Sequence, residues 1–284
     1  MKALIYQFWE GPKMSIGNQA GTELMAEYAE KIGVEYQFER NPSWPENARV
    51  QRQNLGPYNP HYGAFKPIFD PAYNNYDYIL FCDTDIIPIT HSRLNPRKNI
   101  FAEFMGLRHQ QIESKQSLTD LWISEEWMQP QLRVEHNMGG INNQNDIKWS
   151  HIVESAYGSK ILTDERGRPR VFNSGVVLYS AQGRLYAQKN FVDFKLYCNL
   201  MRSRSLPPFY QGDQNYLNAM MTAGMNWSIM PYKWNSQMFF KPGTTGDNRP
   251  VSDYRLKDTQ FVHLQQRGAD NWDKERIVET ANGL

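Results

Sequence analysis

Residues 76–89, "YDYILFCDTDIIPI", join an apolar run to two aspartates and then turn apolar again. The run Tyr78–Cys82 is too apolar for a surface strand, so it predicts a buried strand of a parallel sheet. Side chains alternate along a strand, and Asp83 and Asp85 therefore face the same way while Thr84 faces the other. Two converging carboxylates repel each other unless a proton or a cation lies between them. The stretch therefore predicts a metal site at the end of a buried strand.

The two aspartates also have a simpler interpretation, in which Asp83 caps the following turn and Asp85 is solvated. Two aspartates separated by one residue occur by chance in many proteins. Their position after a buried strand favours the metal site, because ligands collect at the carboxyl ends of strands in open α/β sheets. Mg²⁺ or Mn²⁺ bound by one or two carboxylates also binds substrate phosphates, so we expect a site for a metal-bound diphosphate.

The N-terminal segments predict an α/β fold around this strand. Residues 2–8 are apolar enough for a buried strand, and residues 34–40 predict a second one. Between them, apolar residues recur at helical spacing over Ile16–Ile32, and Gly33 is well placed to end that helix. The order strand, helix, strand is typical of a parallel sheet covered by helices.

The rest of the chain is divided by its least regular part. Residues 110–170 scatter polar runs between short apolar patches and predict an insertion that carries specificity. The other predicted elements are a loop over 40–60, a short helix within 61–74, a strand over 170–180, a helix within 181–203, a short helix near Asp213, and a strand over 260–264 followed by a polar tail.

Composition excludes several classes of protein. The chain has 31 basic and 30 acidic residues and a net charge of +1, unlike the strongly basic field of nucleic-acid-binding proteins. Its two cysteines, Cys82 and Cys198, lie far apart without metal-ligand spacing, which is typical of reduced thiols in the cytosol. No signal-peptide pattern follows Met1, and no segment reaches the ~18 apolar residues of a membrane span. We expect a cytoplasmic protein with no transmembrane segment and no nucleic-acid partner.

Five segments of the chain resemble one enzyme family. The opening stretch is similar to the DxD segment of GT-A fold glycosyltransferases, in particular the retaining group called family 8, which includes glycogenin and bacterial galactosyltransferases. The further matching segments follow in order along most of the chain. They are "GAFKPIFD" with Lys66, "FNSGVVLYS" with Asn173, Ser174 and Gly175, "GDQNYLN" with Asp213, Gln214 and Asn218, and "HLQQRGADNW" with His263 and Trp272.

The resemblance implies a GT-A fold, which is a Rossmann-like, mostly parallel central sheet flanked by helices, here with the irregular insertion. It implies a single domain over 1–284. Within it, about 1–109 would form the nucleotide-binding half, about 110–170 the variable insertion, and about 171–284 the half that binds the acceptor and the sugar.

The resemblance also implies catalytic and metal-binding roles. His263 joins Asp83 and Asp85 as the third ligand of Mn²⁺ or Mg²⁺, although a lone histidine on an apolar strand is more often a core residue. Asp213 binds a hydroxyl of the donor sugar and Gln214 faces the reacting carbon. The alternative for Asp213 is a helix cap, a role that aspartate fills readily.

Other residues are candidates for binding the nucleotide. Gln7, Phe8 and Trp9 end the first strand and suit a nucleobase, because bases stack on aromatic rings and amides read their edges. Lys66 is a candidate for the phosphates. The alternatives are core packing for the first three and a solvated charge for the lysine.

Three polar or small residues, Asn173, Ser174 and Gly175, interrupt an apolar strand. They leave room beside a bound sugar, or they form a bulge with a buried amide. Thr84 belongs to the donor-binding segment through its place between the aspartates. The Lys-Pro of the family's last motif is absent, and Arg267 or Lys274 is the candidate replacement for that lysine.

The remaining candidates concern the acceptor. Trp122, Trp127 and Trp149 suit stacking on sugar rings or packing of the insertion. The basic clusters "RLNPRK" and "RGRPR" suit an anionic acceptor or solvated loops.

Together with the metal site, the resemblance implies a metal-dependent glycosyltransferase that moves a sugar from a nucleotide-diphosphate donor, a UDP-sugar, to an acceptor hydroxyl. The resemblance implies retention of configuration. The acceptor is a carbohydrate, a lipid-linked molecule or a protein. Two alternatives remain open: a sugar nucleotidyltransferase, whose Gly-rich loop is absent after the first strand, and a non-catalytic protein that binds nucleotide sugars or carbohydrates.

Overall fold

The fold is built on two β-sheets, and its helices cover both faces of the larger one. A computed structural model describes residues 1–43, 59–89, 98–126, 142–239, 252–253, 255–265 and 269–283. The strands are β1 Ala3–Trp9, β2 Glu35–Arg40, β3 Tyr78–Cys82, β4 Ile86–Pro88, β5 Leu121–Glu125, β6 Phe172–Ser180, β7 Trp227–Ile229, β8 Ser236–Phe239, β9 Ser252–Asp253 and β10 Phe261–Gln265.

The helices alternate with these strands along most of the chain. The α-helices are α1 Ile16–Ile32, α2 Lys66–Phe69, α3 Ile100–Glu113, α4 Asn143–Tyr157, α5 Ala181–Asn190, α6 Phe194–Ser203, α7 Asp213–Thr222 and α8 Lys274–Asn282. Short 3₁₀ turns span Asn59–Phe65, Pro71–Tyr73, Pro208–Gln211 and Tyr232–Trp234. None of the described helices is both long and apolar enough to cross a membrane.

The larger sheet has the strand order β2-β1-β3-β6-β5-β7. The pairs β1–β2, β1–β3 and β5–β7 are parallel, whereas β6 is antiparallel to both β3 and β5. One strand of the six therefore runs against the rest. This arrangement confirms the predicted fold class, a mostly parallel central sheet flanked by helices.

Alternate residues of the sheet enter two separate apolar cores. In β3, Ile79 and Phe81 enter the first core, and Leu80 and Cys82 enter the second. The first core is covered by α2 and α4 to α7, and the second by α1 and α3. Each fully buried large apolar side chain contributes about 1.5–3 kcal/mol to folding. Burial on both faces explains why β3 is apolar throughout.

The smaller sheet has the order β4-β10-β8-β9 and begins where β3 ends. Residues 83–85 join β3 to β4, and β4 pairs antiparallel with β10, so that His263 lies opposite Ile86. A third apolar core, under this sheet, is closed by Leu24 of α1 and Ile277 of α8. The junction of the two sheets therefore contains both aspartates.

The structure corrects the prediction that residues 110–170 are irregular, within the part of the segment that it describes. This segment supplies β5, which pairs with β6 and β7 inside the larger sheet. It also supplies α4, whose Trp149 and Val153 are fully buried in the first core. The strand β5 has only five residues, and the helix α4 has few apolar ones. Both give weak local patterns, and for this reason the segment was predicted to be irregular.

Two further corrections concern helices. Residues 181–203 form two helices, α5 and α6, rather than one, because Asp193 caps α6 by accepting hydrogen bonds from the N–H groups of Lys195 and Leu196. The tail after β10 contains α8, whose N-cap is Asp273. By contrast, α1 ends as predicted, with Gly33 in the left-handed conformation at φ 71°.

Candidate functional site

The predicted metal ligands come together at the junction of the two sheets. Asp83, Asp85 and His263 each offer one ligand atom, and these atoms lie within 4.8 Å of one another. Nε2 of His263 lies 3.3 Å from Oδ1 of Asp85. His263 comes from β10, far from the aspartates along the chain. Tertiary structure therefore brings the three side chains within reach of one ion.

The backbone of the aspartate turn is held by three neighbouring segments. Asp83 N–H donates to the carbonyl of Gly175 on β6 at 2.8 Å. Leu264 N–H on β10 donates to the carbonyl of Asp85 at 3.0 Å. The side chain of Gln7 donates to the carbonyl of Asp83 at 2.8 Å. These bonds hold the backbone of both aspartates in place.

Thr84 faces away from the carboxylates, toward α1. Its hydroxyl donates to Oδ1 of Asn18 at 2.6 Å, and Asn18 Nδ2 donates to Asp270 at 3.0 Å. A Cβ on Gly21 would lie 2.0 Å from the carbonyl oxygen of Thr84. The close approach of α1 to the turn therefore requires glycine, and Thr84 has a buried structural contact.

The electrostatics of the site show an excess of negative charge. Burial, together with the neighbouring Asp85 carboxylate, raises the pKa of Asp83 well above its usual range. Burial by itself lowers the pKa of His263, but Asp85, Asp83 and Glu126 outweigh it and raise that pKa above its ordinary value. Both shifts indicate a site that retains positive charge, as protons or as a cation.

The donor set fits a hard divalent cation. Two carboxylates and one imidazole are ligands that Mn²⁺ accepts, and Mg²⁺ accepts the carboxylates with additional phosphate or water oxygens. Asp83 and Asp85 are half-buried, whereas His263 is buried. The two carboxylates therefore remain accessible for an ion that is shared with a substrate.

The interruption in β6 has a structural basis. The pairing of β5 with β6 shifts between Ile123 and Glu125, opposite residues 173–176. The buried side chain of Asn173 accepts a hydrogen bond from Gly175 N–H at 2.9 Å. A Cβ on Gly175 would lie 2.5 Å from Cε1 of His263. The segment therefore fits the predicted bulge with a buried amide, that of Asn173. Gly175 leaves room for the ring of His263.

The start of α7 lies beside the metal ligands. Ser174 Oγ donates to Oδ2 of Asp213 at 2.9 Å, and the negative charge of Asp213 contributes to the raised pKa of Asp83. The helix is preceded by Gly212 as its N-cap, with no side-chain capping bond. The capping alternative for Asp213 is therefore wrong, and its carboxylate faces Ser174.

Gln214 is held by the carboxylate of Glu126, a residue that was not among the predicted site residues. Its Nε2 donates to Oε2 of Glu126 at 3.0 Å, and its Oε1 accepts a long, 3.4 Å hydrogen bond from Ser174 N–H. Glu126 is buried and follows β5, just as Asp83 follows β3. The sequence offered one signal for Glu126: a carboxylate that follows a short apolar run. The run belongs to β5, whose pattern was too weak to be recognised as a strand.

The side chains of two nucleobase candidates, Gln7 and Phe8, are held by contacts with other parts of the protein. Gln7 is fully buried and, besides bonding Asp83, accepts a hydrogen bond from Tyr36 at 2.8 Å. Phe8 packs against the first core, and a Cβ on Gly63 would lie 2.4 Å from its ring. Trp9 is half-buried beside Arg40 of β2. A role for these residues in binding a base stays a prediction.

The candidate lysines form ion pairs. Lys66 lies 2.6 Å from Glu39 and 3.9 Å from Asp70. Lys274 joins Glu23 and Glu27 of α1. Arg267, the other candidate replacement for the family lysine, lies outside the described residues.

The acceptor candidates are mostly accounted for by packing. Trp122 and Trp149 are buried in the two cores, so stacking on a sugar is wrong for both. Trp127 lies outside the described residues, as does "RLNPRK" apart from Lys98. In "RGRPR", Arg168 pairs with Asp164 and Arg170 pairs with Glu125, as expected for a surface loop.

Comparison with known proteins finds similarity in structure but not in sequence. No model of a protein family matches the chain, and no curated protein matches its sequence. Mouse xyloside xylosyltransferase 1 in its apo form is similar with a TM-score of 0.50 and 10% identity, over 93% of this chain and 98% of that chain.

Two other solved structures are similar at lower scores. A glycosyltransferase involved in the glycosylation of the major capsid of PBCV-1 has a TM-score of 0.43 and 14% identity, over 100% of both chains. The apo-form glycosyltransferase GlyE of Streptococcus pneumoniae TIGR4 has a TM-score of 0.39 and 13% identity, over 83% of this chain and 46% of that chain. At such identities, the xylosyltransferase likeness shows a shared fold.

Proposed function

We propose that the protein is a metal-dependent glycosyltransferase that moves a sugar from a UDP-sugar to an acceptor hydroxyl, with retention of configuration. The observation that carries the proposal is the convergence of Asp83, Asp85 and His263, from distant parts of the chain, at the edge of the sheet. The fold shared with mouse xyloside xylosyltransferase 1 and the resemblance to family 8 support the same reaction class.

The reaction exchanges one bond at the anomeric carbon for another. The bond from this carbon to the diphosphate oxygen breaks, a bond to the acceptor oxygen forms, and the acceptor proton leaves with the released diphosphate. Asp83, Asp85 and His263 would hold a divalent cation, which would supply Lewis-acid stabilisation of the charge that develops on the diphosphate.

The residues beside the metal ligands orient the sugar. Asp213, fixed by Ser174, accepts a hydrogen bond from a hydroxyl of the donor sugar. Gln214, held by Glu126, faces the anomeric carbon. Retention needs no general base for the acceptor, whereas inversion needs a carboxylate, for which Asp213 is the first candidate.

The test is incubation with UDP-glucose, UDP-galactose and UDP-N-acetylglucosamine, with Mn²⁺ or with EDTA, while released UDP is measured. We expect UDP from at least one donor, and only with the metal. Proton NMR of the product then gives its anomeric configuration. Formation of a nucleotide sugar from a sugar phosphate and UTP would indicate a nucleotidyltransferase instead, and donor binding with no release would indicate a binding protein.

A further inference from the structure

The imidazole of His263 is held between a carboxylate and an amide. Its Nε2 faces Oδ1 of Asp85 at 3.3 Å, and its Nδ1 lies 3.0 Å from Oδ1 of Asn235. Asn235 follows the 3₁₀ turn Tyr232–Trp234, and its side chain is fully buried. The two ring nitrogens therefore face two different kinds of group.

The orientation of the Asn235 amide is fixed by the backbone of β6. Oδ1 of Asn173 accepts from Gly175 N–H at 2.9 Å, so this end of Asn173 must be its oxygen. Asn235 donates to the same oxygen through Nδ2, also at 2.9 Å. The end of Asn235 that faces His263 is consequently its carbonyl oxygen, which can only accept a hydrogen bond.

This arrangement selects the ring nitrogen that carries a proton when a cation is bound. A cation that shares Asp85 takes the lone pair of Nε2, and the neutral ring then keeps one proton, on Nδ1. The carbonyl of Asn235 accepts a hydrogen bond from that N–H group. Nε2 of Gln265 also lies 3.3 Å from Nδ1, but within the described residues no other hydrogen bond fixes the orientation of this amide. With the amide turned over, its oxygen accepts the same hydrogen bond from Nδ1.

We propose that Asn235, oriented by Asn173, is a positioning residue of the metal site, which holds the His263 ring so that Nε2 faces a cation between Asp83 and Asp85. The inference rests on the proposed function, since it requires that the three ligands bind a divalent cation. Asn235 would contact neither the cation nor the donor. It would instead determine how well His263, the third ligand, binds the cation.

Metal affinity is the first test. The binding of Mn²⁺ is measured by the loss of its free EPR signal, for the wild type and for Asn235→Leu. We expect the variant to bind Mn²⁺ about 10- to 100-fold more weakly, the usual effect of losing the partner of a metal-ligating histidine. Asn235→Asp keeps an acceptor opposite Nδ1 and is expected to retain most of the affinity.

A matched control separates this effect from the loss of a buried amide. Gln111 is buried on α3 and bonds the N–H and the hydroxyl of Thr119, which precedes β5 at the opposite end of the strands from the aspartates. Gln111→Leu removes a similar amide and is expected to leave Mn²⁺ affinity unchanged.

Nitrogen-15 NMR of the Mg²⁺-bound protein provides a second measurement. We expect a ring N–H at Nδ1 of His263 that exchanges slowly with water, and we expect this exchange to become fast in Asn235→Leu. The variant His263→Gln identifies the signal among those of the 6 histidines.

The outcomes distinguish the two proposals. A wild type that does not bind Mn²⁺ would refute the metal site and the proposed function together. A wild type that binds Mn²⁺ while a folded Asn235→Leu binds it equally well would refute only the role of Asn235. If Asn235→Leu does not fold, a proton on Nε2 in the Mg²⁺-bound wild type decides against the inference.

Discussion

At the scale of single residues, the proposed chemistry depends on carboxylates that the neighbouring segments partly shield from water. Asp83 and Asp85 are half-buried with their backbone bonded to β6 and β10. Glu126 and Asp213 add negative charge at the same place. Unpaired buried charges are costly, which is why this group of acids suits a bound cation.

The first prediction concerns the metal ligands. Asp83→Asn keeps the shape of the side chain but removes its charge, so the cation is lost from the leaving diphosphate. We expect turnover to fall by about 10²-fold or more, measured as UDP release at saturating donor. Turnover equal to that of the wild type would contradict the role of Asp83.

The second prediction concerns Glu126, which was not recognised in the sequence. Glu126→Gln weakens the hold on Gln214, and a small misplacement of a reacting group costs up to about 10²-fold in rate. We expect kcat to fall by about 10- to 100-fold. The adjacent Glu125 pairs with Arg170 instead, so Glu125→Gln is the matched control and should keep wild-type turnover.

At the scale of elements, α1 is the helix that fixes the aspartate turn. Two glycines of α1 let other backbone segments approach the helix closely. A Cβ on Gly21 would meet Thr84, and a Cβ on Gly17 would lie 1.9 Å from the carbonyl oxygen of Ala269. Asn18 links the same two regions through side-chain hydrogen bonds. The helix thus connects the turn to the segment after β10.

The third prediction tests this packing. In Gly21→Ala the added methyl group meets a backbone oxygen, and overpacking of this kind costs about 1–3 kcal/mol. We expect lower stability in urea and weaker Mn²⁺ binding. Gly106→Ala is the control, because Gly106 lies on α3 with nothing within 4 Å, and there alanine should stabilise by about 0.5–1 kcal/mol. Equal effects of the two substitutions would argue against the packing of α1 on the turn.

At the scale of the whole molecule, the site lies where the two sheets meet. Ile86 and Phe261 of the smaller sheet share the second core with Leu80 of the larger one. Asp83 and Asp85 lie on the connection from β3 to β4, while His263 comes from β10. A cation bound there would therefore join the connection between the sheets to β10 of the smaller sheet. Ligands that bind only the folded protein raise its stability by mass action.

The fourth prediction follows from this linkage. Mn²⁺ at about 100 times its dissociation constant should raise the free energy of unfolding by about 2.7 kcal/mol, and thus raise Tm by several degrees. Calorimetry with Mn²⁺ and with EDTA measures the difference. The same addition should have almost no effect on Asp85→Asn, and an equal shift in that variant would mean that Mn²⁺ binds elsewhere.

Several features of the fold and the site could be read from the sequence because they depend on neighbours along the chain. The apolar run predicted as a strand has the same bounds as β3 in the structure. The helical spacing of apolar residues, together with Gly33, gives both ends of α1. The convergence of Asp83 and Asp85 was predicted from the alternation of side chains along a strand, and the structure brings the two together on the turn that follows β3. The order of strands and helices indicated the fold class.

Tertiary structure alone decided which distant residues complete the site. Asn235 contacts His263, Asn173 orients Asn235, and Glu126 contacts Gln214. These contacts arise from the pairing and packing of strands, and no local pattern encodes them. The same holds for β5, whose five residues become a central strand only between β6 and β7. Local periodicity determines which segments are buried strands or helices, whereas the partners of a buried polar group depend on how those segments pack against one another.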